Sequence, residues 1–164
     1  MNWPRTILDG IILSLAFNSI VALMWVLKPR AFLKMLPKEI RQAAPKKTRE
    51  EKRFTLILYP IYILILVYMI ISTHLTGISG FWNLFWTGYI EMFFINMGDF
   101  WLLDVWFRAK FLDRIMIPGT ENCKAWQTKN WLLTFGIPEH WIGWTLIVCP
   151  LFGFVVAKSS EFLF

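Results

Sequence analysis

The chain has 164 residues, of which 57% are hydrophobic and 18% aromatic, with a formal net charge of +6 and a mean hydropathy of +0.51. A soluble domain of this size does not need so much apolar side chain, so the composition excludes an ordinary soluble protein and predicts an integral membrane protein. The basic residues lie between apolar runs and carry no recognition motif. We therefore expect no nucleic-acid partner, and we expect contact with membrane lipids, including anionic headgroups.

Four hydrophobic runs without charge clusters follow one another along the chain, and each approaches or exceeds the roughly 20 residues that cross a bilayer as a helix. They occupy residues 7–27, 54–73, 81–107 and 140–157. These runs leave almost nothing for a second domain. The sequence therefore predicts an all-α fold, a four-helix transmembrane bundle that forms a single domain over residues 1–164.

The basic residues predict how the bundle is oriented, because Lys and Arg near a span are retained on the cytoplasmic side. Residues 28–53 carry ten of them and residues 108–139 carry five, which leaves only Arg5 and Lys158 for the opposite face. We therefore expect two cytoplasmic loops, both termini on the outer side, and a multi-pass protein of the cytoplasmic membrane. The N-terminal run continues to Leu27 before positive charge follows, which favours a retained anchor over a cleaved signal peptide.

The two inner loops contain short-range signals of their own. Pro29, Pro37 and Pro45 divide the first loop into short pieces. Apolar residues interspersed with lysines between them predict a short amphipathic helix lying on the inner leaflet. In the second loop, Pro118-Gly119 favours a type II turn. Cys123 falls in that loop and Cys149 in a span, so no disulfide is expected.

Glu91 is the deepest acidic residue of the third run. At a rise of about 1.5 Å per residue it lies about 15 Å below the start of that run, near the middle of the bilayer. Asn18 lies about 18 Å below Thr6 in the first run by the same rise. A carboxyl group at this depth costs about 2.5 to 3.5 kcal/mol on insertion scales, so it is expected to have a partner or a task. We predict that Asn18 is the partner of Glu91.

A second polar group is predicted at the inner end of the bundle. On an ideal α-helix Asp104 is turned about 140° from Asp99, so the two carboxyl groups do not lie side by side. Arg108 follows Asp104 by four residues and is its expected ion-pair partner. His140 begins the last run and is the expected partner of Asp99. The predicted ligand pocket combines Asp99 and His140 with Asp104, Arg108 and Tyr59.

Several chemistries remain open for these residues. The alternative without a ligand is a structural polar contact between helices, which contributes about 0.6 kcal/mol to stability on average. A metal site is not predicted, because three ligands are too few and two of them diverge. No activated nucleophile and no cofactor motif is visible, so cofactors and enzyme activity stay unassigned.

Three stretches in the second half of the chain resemble a known group of proteins. They are Asp99 to Asp104, which contains FWLLD, then Ile117-Pro118-Gly119-Thr120-Glu121, then His140 at the start of the last run. Their order resembles small four-span membrane proteins of unassigned function from Gram-positive bacteria. The resemblance implies an integral membrane protein and brings no activity, substrate or catalytic residue with it.

Three functions follow as hypotheses. The leading one is a membrane component that binds or transports a small cation, a proton-coupled solute or an amphiphile. Its expected ligand-binding residues are Glu91, with Asn18 beside it, and the inner polar pocket that contains Asp99 and His140. The second is a membrane enzyme that acts on a lipid or isoprenoid at the inner leaflet, with Asp99 and His140 as acid and base and Arg108 near a phosphate. The third is an accessory subunit. Since a small bundle has little room for an aqueous path, transport would require a homo-oligomer or a larger partner.

Overall fold

In a computed structural model, which describes residues 1–164, the chain is helical and contains no β-strand. Three helices are long and apolar enough to cross a membrane, namely Trp3–Leu27, Arg49–Leu75 and Thr128–Leu163. The predicted all-α class is thereby confirmed, and these helices are those expected of a membrane protein. The third predicted run is also helical, but Asn83, Glu91, Asn96, Asp99 and Asp104 lower its hydropathy.

The first half of the chain forms two long helices joined by short pieces. In order, they are α1 (Trp3–Leu27), a 3-10 segment (Pro29–Met35), α2 (Lys38–Ala43), α3 (Arg49–Thr55) and α4 (Leu58–Leu75). Thr48 begins α3 with a capping box, because its hydroxyl accepts from the Glu51 amide and the Glu51 carboxylate accepts from the Thr48 amide. Charged α3 thus continues into apolar α4.

The second half contains two long helices that change their winding on the way. The first runs through α5 (Phe81–Gly98), a first π segment (Asp99–Phe107) and α6 (Arg108–Lys110). After α7 (Leu112–Ile115) and a 3-10 turn (Lys124–Trp126), the last helix runs through α8 (Thr128–Trp131), a short π segment (Leu132–Gly136), a second π segment (Pro138–Val148) and α9 (Cys149–Leu163).

The last helix therefore begins well before residue 140, and the second inner loop is shorter than residues 108–139. Apolar side chains between Trp131 and Ile137 continue the helix through Pro138. Proline lacks the amide hydrogen and its ring crowds the preceding turn of an α-helix. Here the widened π winding on both sides of Pro138 accommodates it.

The helix α5 lies between α1 and α9 and packs closely on both. Small residues permit this approach: a Cβ on Gly88 would lie 2.8 Å from Val156, and one on Gly153 would lie 2.6 Å from the Phe85 carbonyl oxygen. On the other side Gly10 packs against Phe94. These close contacts fix the relative heights of the polar residues on α1 and α5.

Both chain ends lie at the end of the bundle that holds the turn between α4 and α5. Ser160 of α9 is hydrogen bonded to Thr73 at 3.1 Å, and the Phe164 ring stacks on His74 with 3.7 Å between centroids. Asp9 near the start of α1 accepts from Arg5, Tyr68 and Ser72. The loops with most of the basic residues lie at the opposite end.

The first inner loop packs differently from the prediction. The apolar residues expected on the inner leaflet are instead buried in the protein core, with exposures of 0% for Ala31, 6% for Phe32 and 0% for Ile40. The amphipathic surface helix was thus a wrong prediction, because these side chains cover the end of the helices that lies opposite the chain termini. Glu39 ties this loop to the second one by accepting from the Lys124 and Ala125 amides at 2.9 and 2.8 Å.

The predicted type II turn is confirmed. The Thr120 amide donates to the Ile117 carbonyl at 3.1 Å, and Gly119 has a φ of +88°. This left-handed conformation at the third turn residue favours glycine. The Gly119 amide also donates to the Glu121 carboxylate at 2.9 Å, and this hydrogen bond lowers the pKa of Glu121.

Candidate functional site

The first π segment places Asp99 and Asp104 on the same side of their helix. In π winding the hydrogen bonds join residues five apart, so residues i and i+5 lie close to one another along the helix. Asp99 and Asp104 have this spacing, and both line the same cavity. The predicted divergence of the two carboxyl groups was therefore wrong, because it assumed α-helical winding.

His140 is the centre of a buried hydrogen-bonded group. Its Nε2 lies 3.2 Å from Asp104 Oδ2 and its Nδ1 lies 2.7 Å from Asn96 Oδ1. The Asn96 amide returns a hydrogen bond to the His140 carbonyl at 3.0 Å, and Thr145 Oγ1 donates to the same carbonyl at 2.8 Å. Asp104, His140 and Asn96 are 4%, 2% and 0% exposed.

The hydrogen bonds of this group determine where its protons lie. The Asn96 nitrogen is identified by its donation to the His140 carbonyl, which only accepts, so the Asn96 oxygen faces Nδ1. Nδ1 therefore carries a hydrogen. The contact between Nε2 and Asp104 then requires one further proton, on the imidazole or on the carboxyl group. The pair of His140 and Asp104 thus shares one proton.

A cavity of about 150 Å³ lies beside this pair. Twelve of its sixteen lining residues are apolar, and the four others, all acidic or imidazole side chains, lie on the first π segment and the last helix. The apolar residues are contributed by α1, by α4, by the 3-10 segment and Leu36 that follows it, and by both long C-terminal helices: Phe17, Val21, Trp25, Phe32, Met35, Leu36, Leu58, Tyr62, Leu103, Trp131, Phe135 and Trp144. The acidic wall, as we name the four others, is Asp99, Asp104, Glu139 and His140.

Asp99 differs from Asp104 in having no hydrogen-bond donor among the protein groups around it. His140 was its predicted partner, but the imidazole bonds Asp104 instead. Asp99 lines the cavity, and the residue as a whole keeps part of its surface exposed. Asp99 is therefore available to a ligand, as is the partly exposed Glu139.

Arg108 lies near the pair but has a different role from the predicted ones. Its Nε donates to the backbone carbonyl of Asp104 at 2.9 Å, and its Nη atoms donate to the Trp126 carbonyl and to Thr128 Oγ1 at 2.8 and 3.0 Å. The guanidinium lies over the Trp131 ring at 5.1 Å and is 1% exposed. Arg108 fixes the segment from Trp126 to Thr128 to the first π segment, and it forms no ion pair with the Asp104 carboxylate.

Tyr59 lies outside the cavity and is 67% exposed. Tyr62, one turn later on α4, lines the cavity in its place and packs on Phe17 with 5.3 Å between ring centroids. The prediction was right about the helix that lines the site but wrong about the tyrosine, which is Tyr62 and not Tyr59. The rotation of α4 about its axis is set by its packing on α9, and a sequence pattern does not show it.

Glu91 and Asn18 are both buried but do not bond one another. The Asn18 amide donates to Ser14 Oγ at 3.3 Å and to the Ile95 carbonyl at 3.2 Å. The register of α1 against α5, with Gly10 at Phe94 and Ser14 at Gly98, places Glu91 closer to the level of Asp9 than to that of Asn18. Glu91 Oε2 is left without a hydrogen bond at 1% exposure. Glu91 is therefore separate from the inner site.

The sequence reasoning missed Asn96, Glu139 and Thr145 as members of the site. The spacing of five between His140 and Thr145, together with Pro138 inside an apolar run, is the signal that could have indicated π winding.

No group of three or more His, Cys, Asp or Glu side chains has the arrangement of a metal site. Comparisons with protein-family models, curated proteins and solved structures found no match, so the resemblance to four-span Gram-positive membrane proteins stays a prediction.

Proposed function

We propose that the protein is a multi-pass membrane protein that binds a small amphiphile with a cationic amine head in the cavity at its inner end. The observation that carries this proposal is an apolar cavity with an acidic wall, in which the Asp99 carboxyl group has no protein donor. An ammonium group supplies three donors and a positive charge, which match this wall. A phosphate would meet three carboxyl groups and no free guanidinium.

The size of the cavity limits what it can hold. An engineered apolar cavity of about 150 Å³ in another protein binds benzene. A cavity of similar volume here accepts a ring or a short chain, and a longer chain has to extend beyond it. The aromatic rings of Phe17, Trp25 and Trp144 at the cavity supply faces that attract a cation as well as an apolar group.

The membrane arrangement is part of the same proposal. We infer that the helix from Phe81 to Lys110 is a fourth span, that both termini lie outside and that the basic loops face the cytoplasm. The exposed tryptophans Trp82 and Trp86 near its start, and Trp101 and Trp106 near its end, support two interfacial aromatic belts. By this arrangement the cavity lies near the inner headgroup level of the cytoplasmic membrane.

A binding experiment tests the proposal. Purified protein in lipid nanodiscs is titrated with dodecylamine and, as the neutral control, with dodecanol. A charge-assisted hydrogen bond contributes about 1.5–3 kcal/mol, so Asp99→Asn should weaken dodecylamine binding about 10- to 100-fold and leave dodecanol binding unchanged. Glu121→Gln, in the inner loop outside the cavity, is the matched control. Equal affinity of the parent and Asp99→Asn for the amine would refute the proposal.

A membrane enzyme is the second candidate, and the proton shared by His140 and Asp104 favours it. Such a pair beside an apolar cavity can give a proton to an amphiphile or take one from it. Arg108 does not bind a phosphate in this enzyme, since three of its nitrogens already donate to protein oxygens. Lipid profiles that change on overexpression of the parent but not of His140→Gln would favour the enzyme. A stoichiometric larger protein in the purified complex would favour an accessory subunit.

A further inference from the structure

The surfaces that border the cavity differ in how tightly they are closed. Ten of the lining residues are buried, and the six that keep exposed surface are Met35, Tyr62, Asp99, Phe135, Glu139 and Trp144. Four of these six lie on α4 and on the last helix, with Tyr62 on α4 and Phe135, Glu139 and Trp144 on the last helix. The exposed part of the lining is therefore contributed mainly by these two helices.

The contacts of α4 with the last helix are made along α9. Thr73 bonds Ser160 near the chain ends, and Tyr62, one turn after the start of α4, reaches Phe152 with 6.4 Å between ring centroids. Backbone packing of α4 on the last helix is mainly on α9 and not on the second π segment. The two helices thus separate beside the cavity.

The aqueous inner end is closed by contrast. Phe32 and Leu36 of the first loop and Trp131 of the last helix are 6%, 4% and 1% exposed and cover the cavity from that side. The 3-10 segment is fixed by Arg30, whose Nε lies 2.8 and 2.9 Å from the two Glu51 carboxylate oxygens. Glu39 joins the first loop to the second through two backbone amides.

We propose that the amine enters the cavity sideways from the inner leaflet, through a portal between α4 and the last helix bordered by Tyr62, Glu139 and Trp144. This inference rests on the proposed function and names its substrate class more closely: a membrane-dissolved amine, and not a water-soluble one. The Glu139 carboxyl group at the portal meets the ammonium head first, and Asp99 receives it inside. The tail remains between the two helices in the bilayer.

The composition of the portal suits this route. Tyr62 and Trp144 have an apolar body and a polar tip, which is the chemistry found where acyl chains meet headgroups. Met35 at the edge of the cavity is 44% exposed and has the flexible, unbranched side chain that adapts to ligands of different shape. An amphiphile dissolved in the bilayer is also already oriented, with its head at the level of the acidic wall.

Photocrosslinking in vesicles of phosphatidylcholine and phosphatidylglycerol tests the portal. Benzoylphenylalanine replaces Tyr62 at the portal or, as the matched control on the same helix, lipid-facing Tyr59, and lipid adducts are measured by mass spectrometry. We expect lipid adducts at both positions. Dodecylamine should remove most of the adduct at position 62 and none at position 59.

The two proposals fail in different ways in this experiment. If dodecylamine binds in nanodiscs but position 62 forms no lipid adduct, or its adduct is not reduced by the amine, the portal is refuted and the binding function stands. If dodecylamine does not bind at all, the proposed function fails, and the portal fails with it. Butylamine, which stays largely in water, should compete far less than dodecylamine, and equal competition by both would also refute entry from the lipid.

Discussion

Asn96 is predicted to hold His140 in the tautomer that the site requires. Asn96→Ala removes the acceptor at Nδ1, 2.7 Å away, and the donor to the His140 carbonyl, 3.0 Å away. The carbonyl keeps Thr145 as a donor, whereas Nδ1 is left buried without a partner. One lost hydrogen bond costs about 0.5–1.5 kcal/mol and an unsatisfied buried donor about 1–3 kcal/mol, so the total is about 1.5–4.5 kcal/mol.

A double-mutant cycle separates this interaction from the effect of the cavity that truncation creates. The free energy of unfolding is measured in mixed micelles with dodecyl sulfate for Asn96→Ala, His140→Ala and the double variant. We expect a coupling energy of about 1–3 kcal/mol, in the range for residues in one hydrogen-bonded group. Asn83→Ala, at an exposed amide that bonds the Ser79 carbonyl, is the control and should cost little. A coupling energy near zero would show that the reasoning about His140 is wrong.

Three further predictions concern the framework around the site. Gly153→Leu should separate α5 from α9 and lower the free energy of unfolding by several kcal/mol, since even a Cβ would lie 2.6 Å from the Phe85 carbonyl oxygen. Gly143→Leu is the control in the same unfolding assay and should cost less, because the nearest atom to its Cβ is 3.9 Å away. Glu39→Gln should weaken the two charge-assisted hydrogen bonds that join the inner loops, so the Lys124 amide should exchange its hydrogen faster. An unchanged exchange rate at Lys124 would contradict the assigned contact. A membrane-impermeant maleimide should label Cys123 only from the cytoplasmic face and should not label buried Cys149 from either face. Because burial and then Glu39 raise the pKa of the Cys123 thiol, its labelling rate should still increase above pH 9. A labelling rate that is already constant at pH 8 would contradict this.

The limits of the sequence reasoning have identifiable physical causes. Apolar length predicted the long helices, and Pro118-Gly119 predicted its turn, because both are local properties of the chain. The partner of His140 was not predictable from an ideal helical wheel, since the π winding after Gly98 rotates Asp104 towards the cavity. The partner of Asn18 depends on the register that Gly10 and Gly98 set between α1 and α5.

The same distinction explains the remaining corrections. Arg108 has Asp104 four residues earlier, which satisfies the local rule for an ion pair, but its side chain reaches the Trp126 carbonyl and Thr128 in a loop that no local pattern locates. Tyr59 and Tyr62 lie on one helix, and only the packing of that helix on its neighbours decides which of them faces the cavity. Polar residues inside apolar runs identified the region of the site, and tertiary packing selected its members.

The occupancy of the cavity by an amine can be observed directly. Crystals of the protein grown in a lipid phase and soaked with para-bromobenzylamine give the position of the bromine from anomalous diffraction. We predict a bromine peak inside the cavity among Phe17, Val21 and Trp25, with the ammonium group within hydrogen-bonding distance of the Asp99 carboxylate. Bromine peaks confined to the lipid-facing surface, with the cavity unoccupied, would contradict the proposed function.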